Sequence, residues 1–302
     1  MRTYVSVKLG GIHLPCLRIG GPGLGNILFP WARAKLFSER TGAKFIEPAW
    51  SSFKIGPRLR RERDNRNYGI LFRTPKRDCL RGLAVKLFVR QMGEPQSIDE
   101  MAPLPHTRAT NIVFSGMRGQ MSDILGHHRY LRQELLKIYK GNEKPCVSTP
   151  AYSYIAAHVR LGDFKTAANE TELRRGATNT RIPLDWYVEI LRKSREIAPN
   201  MAIRIYSDGD RGNLQPLLAL PNTELVTGGS ALDDMLGLAD ATLLIASNSS
   251  YSLWASFLGQ PHTCWFPGSL RQQAISADGI FEGEVDYQDD LPSVIAKALS
   301  TA

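Results

Sequence analysis

The sequence is poor in cysteine. Four occur in 302 residues, Cys16, Cys79, Cys146 and Cys264. No two of them share CxxC or other metal-ligand spacing, which argues against a disulfide framework and a structural zinc. Scattered thiols of this kind suit a reducing compartment, where they act as small apolar side chains. Long apolar runs are missing as well. No window reaches the ~18 residues of a membrane span, and the opening MRTYVSVKLGG lacks the apolar stretch of a signal peptide. The expectation is a soluble, cytoplasmic chain, or one trimmed of its anchor. Internal repeats and low-complexity tracts are absent too, which removes solenoid and tail-like readings.

Acidic residues are the scarcer charge. Asp and Glu number 29 against 38 Lys and Arg, for a net charge of +9 and a pI of about 9.5. The imbalance concentrates between Lys54 and Arg90, a stretch that begins KIGPRLRRERDNRNYGILFRTPKRDCLRG. Such a stretch favours an anionic partner or forms a solvated basic face. Few aromatics are interleaved with it for base stacking, Phe53, Tyr68 and Phe72 in its first part, and no zinc finger, RRM signature or basic-zipper heptad accompanies it. No nucleic-acid partner is therefore expected. A non-catalytic module that binds nucleotide or RNA through this stretch stands as an alternative.

What is present is the composition of a globular chain with ample core, 43% hydrophobic and 22% charged. Its length fits one large domain or two ordinary ones. The second half alternates plainly. YSYIAAHV (152–159), MAIRIYSD (201–208), TELVTG, ATLLIAS (241–247) and HTCWF read as strands, HTCWF being the last. PLDWYVEILRKSREIAPN, GNLQPLLAL, ALDDMLGLAD and SYSLWASFLG read as helices, the last stopped by Gly259. That rhythm predicts a parallel, Rossmann-like sheet. The first half holds one similar unit. A possible strand and a glycine-rich turn lead to a helix ending at Thr41, with Gly42 as its stop and the strand AKFIEP after it. A basic, irregular region (50–110) follows, then a strand NIVFSG and a helix around 121–140. GNEKPCVSTP (141–150) is the candidate hinge. The fold expected is α/β, GT-B-like, with two Rossmann-like halves facing a cleft and domains at 1–145 and 146–302.

Four segments carry possible chemistry. In GGPGLGN, glycines between a strand and a helix let backbone N–H groups approach a ligand, and a helix N-terminus favours an anion. Gly21, Gly23 and Gly25 do not give GxGxxG, so a plain tight turn stays open beside it. His158-Val159-Arg160 closes a strand, where open α/β sheets bind ligands. Strand alternation puts His158 and Arg160 on one face. A guanidinium there must meet an anion, either a carboxylate or a ligand oxygen. YSDGDRG places Asp208 and Asp210 just past another strand. It fits a metal-binding DxD, a lone Asp208 reading a guanine edge, or an ordinary helix cap. Asn248, Ser249 and Ser250 lie between a strand and a helix, as a phosphate seat or as N-caps. Together these place an arginine, a hydroxyl-lined helix start and an acidic loop after three strands of one sheet, a pocket for a diphosphate and a base.

GGPGLGNILFPWARA, HVRLGD and SNSSYSLWASFLG resemble, in this order, segments of the α1,2-fucosyltransferases (glycosyltransferase family 11), within the wider α1,2/α1,6/protein O-fucosyltransferase superfamily. The resemblance implies an inverting GT-B glycosyltransferase that moves L-fucose from GDP-fucose to a sugar hydroxyl of a glycan acceptor, with an α1,2 linkage. It implies an acceptor-side N-terminal domain and a GDP-sugar-binding C-terminal one, with no cofactor and no metal. Arg160 would contact the β-phosphate and His158 the nucleotide. Asp208 would read guanine, with Asn248, Ser249 and Ser250 at the phosphate. Gly23, Gly25 and Asn26 would face the donor across the cleft. Asp163 is the candidate general base. The family often carries HxRR where this chain has Leu161 in the second place, and Ile27 replaces the Gln of GLGNQ. A metal-dependent transferase of another nucleotide sugar, using Asp208-Gly209-Asp210, is the enzymatic alternative. The basic stretch adds the expectation of peripheral contact with membrane-bound glycan carriers.

Overall fold

The computed structural model describes residues 2–13, 17–53, 67–96, 108–141 and 153–302. The candidate hinge, Cys16, Cys146 and the basic run 54–66 lie outside them, apart from Gly141 at the hinge's edge. Cys79 and Cys264 are free thiols. The chain divides into two compact units, Met1–Asn142 and Glu143–Ala302, each an α/β layer structure around its own parallel sheet.

The N-terminal unit is built on β1 (Thr3–Lys8), β4 (Lys44–Phe45), β6 (Arg90–Gly93) and β7 (Thr110–Ser115) in the order β4-β1-β7-β6. Every pairing in it is parallel. β2 (Ile12–His13), β3 (Arg18–Ile19) and β5 (Ser52–Phe53) form a separate small sheet. Helix α1 (Leu24–Thr41) ends on Gly42 in the left-handed region at φ 66°, the conformation only glycine adopts at little cost. Its apolar side packs on the sheet, with the Phe37 and Phe114 rings 5.5 Å apart. β1 went unread in the sequence although Val5 and Val7 alternate there as a half-buried strand should. The region taken as irregular holds α2 (Lys76–Phe88) and β6, and α3 is confined to His128–Ile138 because turns occupy 116–126.

The C-terminal unit has β8 (Tyr154–Val159), β9 (Ala202–Ser207), β10 (Thr223–Leu225), β11 (Leu243–Ile245), β12 (His262–Trp265) and β13 (Glu282–Glu284). All are parallel, in the order β10-β9-β8-β11-β12-β13. Counted within the unit this is 3-2-1-4-5-6, the doubly wound order that leaves a crevice between strands 1 and 4 at their carboxyl ends. Period-2 alternation sorts the side chains. Ile155, Ala157, Val159, Ile203, Ile205, Leu243 and Ile245 share a buried cluster with Trp186, Ile190 and Leu191 of α5 (Leu184–Ile197). On the other face the Tyr154 hydroxyl donates to the Gly237 carbonyl of α7 (Ala231–Ala239) at 2.5 Å. α4 (Glu170–Arg174) and α6 (Gln215–Leu218) are short.

HTCWF is not the last strand, since β13 pairs with it and α9 (Ser293–Thr301) follows. Gly259 does not stop α8 (Ser250–Gly259) either. It is the last helical residue, and Gln260 caps the helix at φ 54°. Glycine is required at 259 for another reason: a Cβ there would lie 1.8 Å from the Ala239 carbonyl oxygen of α7. The α/β class with one Rossmann-like parallel sheet per half is the architecture the chain adopts.

Candidate active site

The residues expected to act together in the C-terminal unit sit at the carboxyl ends of β8, β9 and β11, around the switch point. β8 is buried along its whole length, so the chain can present polar groups only where the strand stops. His158 is its penultimate residue and remains inside. Its Nδ1 lies 2.7 Å from Ser252 Oγ and 2.9 Å from Ser247 Oγ. Its backbone carbonyl accepts from the Tyr187 hydroxyl at 3.0 Å, and its ring lies 5.0 Å from that of Tyr251. Burial, with the nearby Arg160 charge, drives its pKa down to about 3. The imidazole is therefore neutral at physiological pH, as a ring buried among hydroxyls must be.

Ser247 is the centre of this cluster. Its Oγ also lies 2.9 Å from Ser249 Oγ and 3.1 Å from Ser252 Oγ, while its N–H donates to Ser252 Oγ at 3.0 Å. Ser249 is the N-cap of α8 and accepts the Ser252 N–H at 3.3 Å. The hydroxyl network thus ties the end of β8 to the start of α8, and the capping reading of Ser249 is fulfilled as well. Asn248 turns aside and donates to the Ala177 carbonyl at 2.6 Å. Ser250 opens the helix, half-buried. Ser247, Ser252 and Tyr187 were not singled out in the sequence. A serine three residues into an otherwise apolar helix start, repeating the spacing of a cap, was the available signal for Ser252.

Arg160 lies one residue past β8, where strand alternation no longer applies. It does not share the interior with His158. Its guanidinium reaches outward into a fork of carboxylates, donating through Nη1 to Asp208 Oδ2 and through Nη2 to Asp163 Oδ1, the latter at 2.5 Å. The side chain is 23% exposed and passes 5.4 Å from the Phe164 ring centroid. Asp208, just past β9, also accepts the Leu161 N–H at 2.8 Å. Two glycines permit this closeness. A Cβ on Gly162 would lie 2.3 Å from Asp208 Oδ2, and one on Gly209 would lie 2.5 Å from Leu161 Cδ1.

Asp210 serves a different loop. Its two oxygens accept the backbone N–H and side-chain amide of Asn213 at 2.9 and 2.8 Å. The DGD carboxylates are thus committed to separate partners. Among the described residues no group of three or more His, Cys, Asp or Glu side chains is placed to hold a metal ion.

The glycine-rich turn belongs to the N-terminal unit. Gly20 and Gly21 lie at φ 77° and 101°. At Gly21 a Cβ would come within 3.0 Å of Arg18 Nη1 and 3.1 Å of the Gly10 carbonyl oxygen, so the turn needs glycine twice over. Gly23 caps α1 through its backbone alone, accepting the N–H groups of Asn26 and Ile27 at 3.2 Å each. No acidic residue lies in the first turn of α1. Gly25 is buried and Asn26 half-buried.

Comparison with known proteins gives low-identity likenesses. No family profile matches the chain, and no curated protein matches its sequence. Among solved structures it is similar to the NodZ α1,6-fucosyltransferase soaked with GDP-fucose, at 16% identity and a TM-score of 0.44 over 88% of this chain and 94% of that one. It is similar to POFUT1 in complex with GDP at 12% identity and a TM-score of 0.47, over 88% and 98%. It is also similar to the E. coli heptosyltransferase WaaC with ADP at 11% identity and a TM-score of 0.43, over 100% and 98%.

Proposed function

We propose that the chain is an inverting fucosyltransferase that moves L-fucose from GDP-fucose to a sugar hydroxyl of a glycan acceptor, with the nucleotide held at the switch point of the C-terminal sheet. One observation carries this reading. A cationic fork, a hydroxyl-lined helix start and an acidic loop converge on the carboxyl ends of strands 1, 2 and 4 of a 3-2-1-4-5-6 sheet. Crevices of that kind accept nucleotides. The choice of GDP-fucose among nucleotide sugars rests on the resemblance of the HVRLGD and SNSSYSLWASFLG segments.

The chemistry asks for charge stabilisation more than for covalent work. As the anomeric C–O bond lengthens, the sugar ring gains oxocarbenium character and negative charge gathers on the β-phosphate. In this reading Arg160 exchanges one carboxylate for phosphate oxygens, and release of its Nη1 bond frees an Asp208 oxygen for a guanine N–H. The N-terminal turn of α8, capped by Ser249, offers backbone N–H groups to the same anion. One preorganised donor of this type is worth about 2.7–4 kcal/mol in the transition state. His158 acts from the second rank as a neutral spacer that fixes Ser247 and Ser252. Asp163 either takes the acceptor's proton or only steers Arg160. Asp163→Asn separates these, since loss of a base abolishes the acidic limb of the pH–rate profile, whereas loss of steering leaves that limb in place.

The reading gives neutralisation of the diphosphate to Arg160 and not to a divalent cation, since Asp210 holds the Asn213 loop and Asp208 is left for the base. The test is a thermal-shift panel of GDP, UDP, ADP and GDP-fucose with and without EDTA. GDP and GDP-fucose are expected to raise Tm by mass action, with EDTA immaterial. A shift with UDP alone, or one that needs Mn²⁺, overturns the assignment in favour of another nucleotide-sugar transferase. Linkage analysis of the product decides whether the bond is α1,2.

A further inference from the structure

Helix α2 of the N-terminal unit is amphipathic in the inverted sense. The buried residues of its thirteen are Asp78 and Val85. Asp78 accepts from Arg81 Nη1 at 2.9 Å and from the Glu47 N–H at 3.4 Å, and Gly82 lies over Ile46. That side of the helix faces the protein. The opposite side repeats at helical spacing as Leu80, Leu83 and Leu87, 70%, 38% and 63% exposed, and Phe88 beyond them is 84% exposed. Residues spaced three and four apart share a helix face, so the outward stripe is apolar. Lys76, Arg77 and Lys86 are exposed on this helix and Arg90 just after it. None of these four forms an ion pair among the described residues, whereas the helix's own acid, Asp78, is buried.

We propose that this face docks on an anionic lipid bilayer, with Leu80, Leu83, Leu87 and Phe88 entering the headgroup–acyl boundary and the four cations lying against lipid phosphates. Leucine stripes edged by Lys and Arg lie in membrane interfaces because the stems bury while the charged heads stay in the polar layer. A second copy of the chain fits less well. Two such faces brought together set Lys76, Arg77, Lys86 and Arg90 against their own images with no exposed acid on the helix to offset them. No described helix is long and apolar enough to cross a membrane, so the contact is a surface one.

The experiment is flotation of the full chain with vesicles of phosphatidylcholine alone and of phosphatidylcholine with phosphatidylglycerol. Flotation is expected only with the anionic vesicles. Leu80→Gln with Leu87→Gln should weaken partitioning about tenfold or more, and Lys86→Gln about fivefold, the share of one cation near a charged surface. Phe88→Trp should shift its emission to the blue on anionic vesicles. All these side chains are exposed, so the variants should keep the parent Tm. The proposal is overturned by absence of flotation, or by flotation that the leucine changes leave unaltered. It is overturned equally by a concentration-dependent dimer, without vesicle binding, that those changes dissolve. Salt-sensitive retention on RNA without vesicle binding gives the face to nucleic acid instead.

Discussion

The two units bury charge in opposite ways. In the N-terminal unit, arginines go to the centre. Arg33 is fully buried and spends its donors on Glu94 at 3.0 and 3.3 Å and on the carbonyls of Ser115, Gly116 and Arg118 at 2.9–3.1 Å. Arg18 is equally buried and donates to the carbonyls of Leu9, Ala49 and Trp50, burial drawing its pKa down to about 10. Lys35 bridges Glu47 and Glu134 at 2.8 and 3.2 Å beneath the Phe45 ring. In the C-terminal unit no described Lys, Arg, Asp or Glu is buried, and the charged groups of the site gather where the central strands end. On the proposed reading the working cation is Arg160, partly exposed at the carboxyl end of a switch-point strand, and not one of the buried ones.

Paired substitutions break or confirm that distinction most sharply. Arg33→Ala leaves Glu94 with only the more distant Arg118, 3.9 Å away, and should cost about 3 kcal/mol of stability, with turnover per folded molecule unchanged. Arg160→Ala removes two partly exposed ion pairs, to Asp163 and Asp208, and should cost no more than about 1–2 kcal/mol, yet lower single-turnover transfer from GDP-fucose at least ~100-fold. Urea unfolding and single-turnover kinetics on both variants give the answer. Near-wild-type transfer by the Arg160 variant removes Arg160 from the mechanism.

Much of this contrast was legible in the sequence and some was not. The strands of the C-terminal unit could be read because period-2 alternation and β-branched residues mark them, and the positions of Arg160, Asp208 and Ser249 at strand ends followed. Strand order could not be read, because it depends on which crossovers pack; the motifs grouped the ends of β8, β9 and β11 in one pocket, but not the 3-2-1-4-5-6 order that makes their meeting a switch point. The separate fates of His158 and Arg160 were hidden for a local reason: β8 ends at Val159, and alternation says nothing past the last paired residue. In the N-terminal unit the signal itself was misleading. The cations of α2 drew attention to charge and concealed a helix whose leucines face outward.

A second test uses the buried titratable groups, which respond to acid in opposite senses. His158 has a folded pKa of about 3 against an ordinary 6.5, so the unfolded chain takes up a proton between these values and the folded one does not. Stability is whole above the unfolded pKa and falls as pH drops below it, by about 2 kcal/mol at about pH 5. Glu47 is raised by burial, only partly countered by Lys35. Its contribution is whole below the ordinary carboxylate value and is lost as pH rises through the folded one. Urea unfolding at about pH 7 and about pH 5 should show a shallower acid loss in His158→Gln than in the parent, and a steeper one in Glu47→Gln. Parallel profiles for parent and His158→Gln contradict a neutral, buried imidazole.

The smallest effects compare the two glycine turns. At Gly162 an added Cβ collides with Asp208 Oδ2 at 2.3 Å, whereas at Gly23 it meets nothing within 4 Å and φ is an ordinary −70°. Gly162→Ala should therefore push Asp208 off Arg160 and the Leu161 N–H. Its cost is of order 1 kcal/mol, the low end for overpacking because Asp208 lies on a loop, and the thermal shift with GDP should fall with it. Gly23→Ala should cost no more than about 1 kcal/mol, the difference between glycine and alanine at an N-cap. Any larger loss of transfer there would come from closing space beside the turn and not from the fold. Scanning calorimetry with and without GDP separates the two. If Gly162→Ala keeps both its parent Tm and its full GDP shift, the close seating of Asp208 over Gly162 is not what shapes the site.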